Sequence, residues 1–93
     1  MLGTQMTRYK SLGVFLKKSR KRSGLSQTEV ANQLGYSTPQ FISNWERGIS
    51  GPPISCIKKL AKFYNINEES LFKMTLQQVE KELRRQFKKS TSS

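Results

Sequence analysis

Residues 25–48 read LSQTEVANQLGYSTPQFISNWERG, and this stretch decides the fold. Ser26 can cap a helix, and Glu29 three residues later can reach back to it, which makes a capping box. Apolar residues then recur at helical spacing until Gly35, since glycine takes the left-handed conformation that ends a helix without strain. A second helical pattern follows shortly afterwards. The stretch therefore predicts two helices joined by a tight turn.

The second of these helices separates into two faces. Thr38 and Pro39 predict its start, because a hydroxyl caps the helix and proline suits the first helical position. The face predicted to point inward carries Phe41, Ile42 and Trp45. The opposite face, at positions i, i+3, i+4 and i+7, carries Gln40, Ser43, Asn44 and Arg47. Such a row can bind base edges and phosphates, although an ordinary solvated helix face could also carry these groups.

The net charge points to a polyanionic partner. Seventeen lysines and arginines against six acidic residues give a net charge of +11 in a chain of 93 residues. For a single small domain this imbalance indicates nucleic acid or an anionic membrane, with a solubility effect as the alternative. The chain lacks the aromatic-rich amphipathic pattern of a membrane-surface helix. The charge therefore favours nucleic acid.

The numbers of cysteines and histidines limit the kinds of site that the chain can form. Cys56 is the only cysteine and there is no histidine, which excludes an internal disulfide, a Cys/His metal site and a histidine general base. An enzyme is disfavoured, and neither a cofactor nor a metal is expected. No run of about 18 apolar residues could span a membrane. Residues 1–9 are expected to be a flexible leader rather than a secretory signal, and a reducing cytoplasm suits the chain.

Further helices are predicted on both sides of the central stretch. A first helix over residues 10–23 turns Leu12, Phe15, Leu16 and Ser19 inward and exposes Lys17, Lys18, Lys21 and Arg22. A fourth helix over residues 53–64 turns Ile54, Ile57, Leu60, Ala61 and Tyr64 inward and exposes Lys58, Lys59 and Lys62. Asn67 can cap a short fifth helix that ends at Phe72. The prediction is an all-α domain.

An amphipathic stripe marks the remaining segment, residues 73–89. Its apolar residues, three or four positions apart, are Leu76, Val79, Leu83 and Phe87. A lone stripe of this kind is unstable unless it is buried. The helix is predicted to hold two copies of the chain together, with packing on its own domain or binding of another protein as alternatives. Residues 90–93 are expected to be disordered.

The chain resembles the phage-repressor family, of the Cro and lambda-repressor type, over residues 12–72. The residues that carry the resemblance are Arg20, Leu25-Ser26-Gln27, Val30-Ala31, Leu34-Gly35, Ile42-Ser43, Trp45-Glu46-Arg47-Gly48, Leu60-Ala61 and Leu71-Phe72. The resemblance implies a five-helix helix-turn-helix domain at residues 10–72, with its third helix in the DNA major groove. The turn over residues 35–39 is one residue longer than usual, so either Ser37 or Thr38 could cap the third helix.

The resemblance also implies roles for individual residues. Gln27 and the backbone amides of residues 48–50 would bind phosphates. Glu46 would pair with Arg20 in a structural rather than a catalytic pair. Base contacts are assigned to Thr38, Gln40, Ser43 and Asn44, and further phosphate contacts to Arg47, Lys17 and Lys18.

The predicted function is a double-stranded DNA-binding transcriptional regulator that acts as a dimer on an inverted repeat. It would be cytoplasmic and associated with the nucleoid. One alternative is an antitoxin-like protein whose C-terminal helix binds another protein and whose DNA binding is autoregulatory. RNA binding is a further alternative, against which the lack of an exposed aromatic cluster weighs. No small-molecule ligand is expected.

Overall fold

A computed structural model describes residues 9–91, and within them every regular element is helical. The five α-helices are α1 (Lys10–Arg22), α2 (Gln27–Leu34), α3 (Gln40–Glu46), α4 (Ile57–Tyr64) and α5 (Glu68–Thr91). A short 3-10 turn at Ile54–Cys56 leads into α4. The all-α prediction is confirmed. Residues 1–8 of the predicted leader and residues 92 and 93 of the predicted tail lie outside the described residues.

The structure contains the predicted helix caps and helix stop at three helix ends. Ser26 Oγ accepts a hydrogen bond from the backbone N–H of Glu29 at 3.0 Å, and the Glu29 carboxylate accepts one from Ser26 N–H at 2.8 Å. Gly35 ends α2 in the left-handed conformation, with φ of 88°. Asn67 Oδ1 accepts from the N–H of Ser70 at 2.8 Å at the start of α5. These bonds satisfy backbone groups that a helix end leaves unpaired.

The core lies where α1, α2, α3, α4 and the first turn of α5 meet. The buried apolar residues are Leu12, Leu16, Val30, Ala31, Ile42, Trp45, Cys56, Ile57, Leu60, Ala61, Tyr64 and Leu71. Helices α1 and α3 approach closely at Gly13, where a Cβ atom would lie only 2.5 Å from the carbonyl oxygen of Glu46. The absence of a side chain at Gly13 therefore sets how closely α3 lies against α1.

Tyr9 was assigned to the flexible leader, and that assignment is wrong. Its backbone N–H donates to the carbonyl of Gly48 at 3.0 Å, and its own carbonyl accepts from Gly13 N–H at 2.8 Å. Its ring packs against the core and faces Gly51. Tyr9 thus joins the start of α1 to the loop after α3.

Two residues predicted to point inward are exposed. Ile54 is 56% exposed, because residues 54–56 form a 3-10 turn whose three-residue repeat shifts the side chains away from α-helical spacing. Phe41 also lies at the surface, where its ring packs on Tyr36 with 4.9 Å between centroids. The turn before α3 supplies Tyr36, so Phe41 is covered by the turn rather than by the core.

The C-terminal part of the chain is one helix rather than two. Helix α5 runs for 24 residues through the predicted boundary at Phe72 and through Ser90 and Thr91, which were expected to be disordered. The segment contains neither glycine nor proline, so nothing in it stops a helix. None of the helices within residues 9–91 is long and apolar enough to cross a membrane.

The predicted stripe lies on the outer side of α5. Leu71 and Thr75 are buried against the domain, whereas Leu83 and Phe87 are 60% and 69% exposed. Leu76 is exposed as well, and Val79 is half-buried. The alternative that the stripe packs on its own domain is therefore wrong for most of its length.

Candidate nucleic-acid interface

The outward face of α3 carries a connected row of polar side chains. Asn44 Oδ1 accepts hydrogen bonds from Gln40 Nε2 at 3.0 Å and from Arg47 Nη2 at 2.8 Å. Gln40 and Arg47 are exposed, and Ser43 and Asn44 are half-buried. The bonds connect two side-chain amides and a guanidinium along about two turns of the helix. Such an arrangement lowers the entropy lost when these groups bind a ligand.

Helix α3 begins one residue later than predicted. Gln40 is its first residue and Pro39 occupies the cap position, with φ of −81°. Pro39 itself forms no side-chain cap. Thr38 Oγ1 instead accepts from the backbone N–H of Gln40 at 3.3 Å. Thr38 is exposed at the start of α3, where a hydroxyl can still meet DNA.

Beneath the row, a buried ion pair fixes α3 to the rest of the domain. The Glu46 carboxylate accepts from Arg20 Nε at 2.6 Å and from Arg20 Nη2 at 3.1 Å. Arg20 Nη1 also donates to the carbonyl of Leu25 at 2.8 Å. The hydrogen bonds with Glu46 raise the pKa of Arg20, although burial opposes this effect. The pair predicted from the family resemblance is present, and the guanidinium is held charged between α1 and α3.

Gln27 completes this cluster. Its Nε2 donates to Glu46 Oε1 at 2.9 Å, so α2 is tied to the same carboxylate as α1. Gln27 was predicted as a phosphate contact, and nothing in the sequence indicated that it would also bond to Glu46. The side-chain amide carries two N–H donors, and one of them is used here. Glu46 thereby holds α2 and α3, the two helices joined by the turn, in a fixed relation.

Aromatic side chains pack together at the turn between α2 and α3. The ring of Tyr36 packs against Phe41 and meets Trp45 edge-on, with 6.0 Å between the centroids of Tyr36 and Trp45. The Tyr36 hydroxyl lies 3.7 Å from Cys56 Sγ. Burial, together with this hydrogen bond, raises the pKa of Tyr36. Sequence reasoning missed Tyr36, because its position in a turn carries no helical periodicity.

The predicted phosphate contacts outside α3 lie at the surface or in a loop. Lys17 and Lys18 are exposed on α1, and Ser50 is half-buried after α3. The N–H groups of Gly48 and Ile49 donate to the carbonyls of Trp45 and Asn44. Two of the backbone amides expected at phosphate are therefore used to close the end of α3.

Two helices joined by a turn, the second displaying a polar row and fixed by a buried ion pair, define a helix-turn-helix domain. A helix-turn-helix family model matches residues 16–71. The chain belongs to the helix-turn-helix family of the Cro and lambda-repressor type.

One relative is the HTH-type transcriptional regulator ImmR of Bacillus subtilis (strain 168), which is 34% identical over 61 residues. The alignment covers 66% of this chain and 47% of the relative, so the chain spans about half the length of the curated protein that it matches. No solved structure gives a significant match.

Proposed function

We propose that this protein is a transcriptional regulator that binds double-stranded DNA sequence-specifically, with α3 in the major groove. The observation that carries the proposal is the hydrogen-bonded row of Gln40, Asn44 and Arg47 on the outward face of α3. Membership of the helix-turn-helix family and the similarity to a protein named as a transcriptional regulator support it. The protein would act in the cytoplasm, at the nucleoid.

The base contacts of this proposal fall on Thr38, Gln40, Ser43 and Asn44. A side-chain amide can bond adenine through one donor and one acceptor. The acceptor of Asn44 is already shared by Gln40 and Arg47 in the free protein, so base binding would exchange these bonds rather than add to them. Half-buried Ser43 is small enough to allow the helix close to the bases.

Phosphate contacts would set the position of the domain on the duplex. They are assigned to Gln27, Arg47, Lys17, Lys18 and Ser50. Contacts to phosphate fix register and orientation but carry no sequence information directly. The net charge of +11 favours such contacts, because each neutralised phosphate releases counterions.

Dimerisation through α5 is the second part of the proposal. One domain reads only a few base pairs, and family members place two recognition helices about 34 Å apart on an inverted repeat. The exposed stripe of Leu76, Val79, Leu83 and Phe87 is an apolar surface that a second copy could cover. The same stripe supports the alternative of an antitoxin-like protein that binds a different partner through α5.

A binding titration tests DNA recognition. With roughly six phosphates neutralised per dimer, the slope of log affinity against log salt should be about −5 on duplex DNA. Asn44→Ala or Gln40→Ala should cost about 1–3 kcal/mol on the operator and relax base preference. Lys18→Ala is the matched control, since it should weaken binding to all sequences alike. A slope near zero, a preference for single-stranded RNA, or unchanged discrimination in both amide variants would refute α3 as the reading helix.

Sedimentation of Leu83→Asp tests the dimer. The wild-type chain should sediment as a dimer and the variant as a monomer, because an aspartate in the stripe would have to be buried uncompensated. A variant that remains dimeric would mean that the interface lies elsewhere. A wild-type chain that is monomeric would instead favour the partner-binding alternative.

A further inference from the structure

The exposed stripe of α5 is longer than its four predicted residues, and its phenylalanines and leucines are placed symmetrically about its middle. Phe72 lies at the surface on the same side of the helix, four positions before Leu76. The stripe is therefore Phe72, Leu76, Val79, Leu83 and Phe87. The two phenylalanines are equally far from the point between Val79 and Glu80, and so are the two leucines. A face with this symmetry can pack against the same face of a second copy when the two helices run antiparallel.

Charge divides the same helix into two unlike halves. Residues 68–79 carry two glutamates and one lysine, whereas residues 80–91 carry two glutamates and five basic residues. Arg84 and Arg85 are paired within the helix with Glu80 and Glu82, but the second half keeps an excess of positive charge. An antiparallel arrangement would set the basic half of one helix beside the acidic half of the other.

An apolar notch lies beside the acidic half. It is a cavity of about 280 Å³ lined by Ile54, Ile57, Lys58, Glu68, Glu69 and Phe72. Three of these residues are apolar, and the two glutamates outnumber the one lysine, so the notch carries a net negative charge. At the other end of the stripe, Leu83 and Phe87 line an open groove with Lys81, Arg84, Arg85 and Lys88. The two ends therefore complement each other in both hydrophobicity and charge.

We propose that two copies of this chain pair through antiparallel α5 helices that cross between Val79 and Glu80. Phe87 of each copy enters the notch between Ile54 and Phe72 of the other. The inference rests on the proposed dimer and specifies its geometry. It is an isologous contact, in which the same patch serves both copies.

A parallel pairing lacks these advantages. It would place the two basic halves side by side and leave both notches uncovered, and like charges held together destabilise an interface. The antiparallel pairing separates the two Phe72 positions by about 22 Å along the helix axis, at 1.5 Å per residue. The two domains then lie at opposite ends of the paired helices.

Cysteine cross-linking of the full chain distinguishes the two pairings. Leu76→Cys and Leu83→Cys should form disulfide dimers several-fold faster when the two variants are mixed than when either is oxidised alone. Val79→Cys should cross-link with itself, because it lies beside the crossing point. Disulfides need Cα atoms within about 7 Å, so Gln77→Cys, exposed outside the stripe, is the matched control and should stay monomeric. The buried Cys56 of the wild-type chain gives the background.

Efficient self-cross-linking of Leu76→Cys and of Leu83→Cys would overturn the antiparallel pairing in favour of a parallel one. A monomeric wild-type chain without any specific cross-link would overturn self-pairing itself. Salt-dependent binding to duplex DNA would survive either result, so failure of this inference is distinguishable from failure of the proposed DNA recognition. Circular dichroism of each variant checks that the helices remain folded.

Ile54 tests the notch independently, because it lies outside α5. Ile54→Asp should weaken dimerisation in sedimentation, since the aspartate would lie beside Glu68 and Glu69 in a site that must accept Phe87. Val14→Asp, at another exposed apolar residue, is the matched control and should leave the dimer intact. An Ile54→Asp chain that dimerises as tightly as the Val14→Asp chain would rule out insertion of Phe87 into the notch.

Discussion

Removal of the Glu46 carboxylate should destabilise the domain severely. The side chains of Arg20 and Glu46 are only 9% and 3% exposed, and three hydrogen bonds reach the carboxylate from Arg20 and Gln27. Glu46→Ala would leave the guanidinium buried without a counter-charge, which typically costs about 3–5 kcal/mol. A domain of this length is stable by roughly 5–14 kcal/mol. The substitution therefore removes a large share of the free energy of unfolding.

The assay is thermal and urea unfolding followed by circular dichroism. At about 4–8 °C per kcal/mol for a domain of this size, Tm should fall by about 12 °C or more. The double variant Arg20→Met, Glu46→Met should lose less than Glu46→Ala alone, because no buried charge is left unpaired. Its stability relative to the single variants Arg20→Met and Glu46→Met gives the coupling energy of the pair.

The chain contains its own control for this experiment. Arg84 and Glu80 form an ion pair of 2.9 Å, but their side chains are 76% and 56% exposed. Water screens such a pair, so Glu80→Ala should change stability by less than about 1 kcal/mol. The reasoning is refuted if Glu46→Ala lowers Tm no more than Glu80→Ala, or if the losses of the two single variants simply add in the double variant.

Three further substitutions test the packing. Gly13→Ala should destabilise by about 1–3 kcal/mol in urea unfolding, because its Cβ would lie 2.5 Å from the backbone oxygen of Glu46, whereas Val14→Ala on the exposed side of α1 should not. Ser19→Ala should be neutral or stabilising, since the fully buried Ser19 hydroxyl has no hydrogen-bond partner within residues 9–91; a loss above about 1 kcal/mol would contradict this. Burial raises the pKa of Tyr64, so the folded state holds this proton more tightly than the unfolded state and stability should fall as the pH rises above the ordinary tyrosine pKa of about 10. A pH series should show less of this alkaline loss in Tyr64→Phe, and identical curves would show that Tyr64 does not cause it.

Local chemistry made much of the fold predictable. The capping box of Ser26 and Glu29 and the left-handed Gly35 depend on neighbours within four residues, and the structure has both. The separation of apolar and polar residues along α3 placed Ile42 and Trp45 in the core for the same reason. These signals do not depend on how the helices pack.

The features that were missed arise from packing between distant residues. Gly13 is unremarkable in a helix until α3 lies against it, and the bond of Gln27 to Glu46 joins residues 19 positions apart. The identity of Glu46 as the partner of Arg20 was expected from the family resemblance. The break expected after Phe72 had no glycine or proline to support it, and the helix continues.

Because α5 is one continuous helix, the exposed stripe is rigidly connected to the helix-turn-helix domain. Each residue added between Phe72 and Leu76 would turn the stripe from Leu76 to Phe87 by 100° and move it 1.5 Å along the axis. In the proposed dimer, a single insertion would turn these residues away from the partner helix. Seven added residues would nearly restore the angle and move the two domains farther apart. In the proposed dimer, the length of α5 would therefore set the distance between the two domains, independently of any residue of α3.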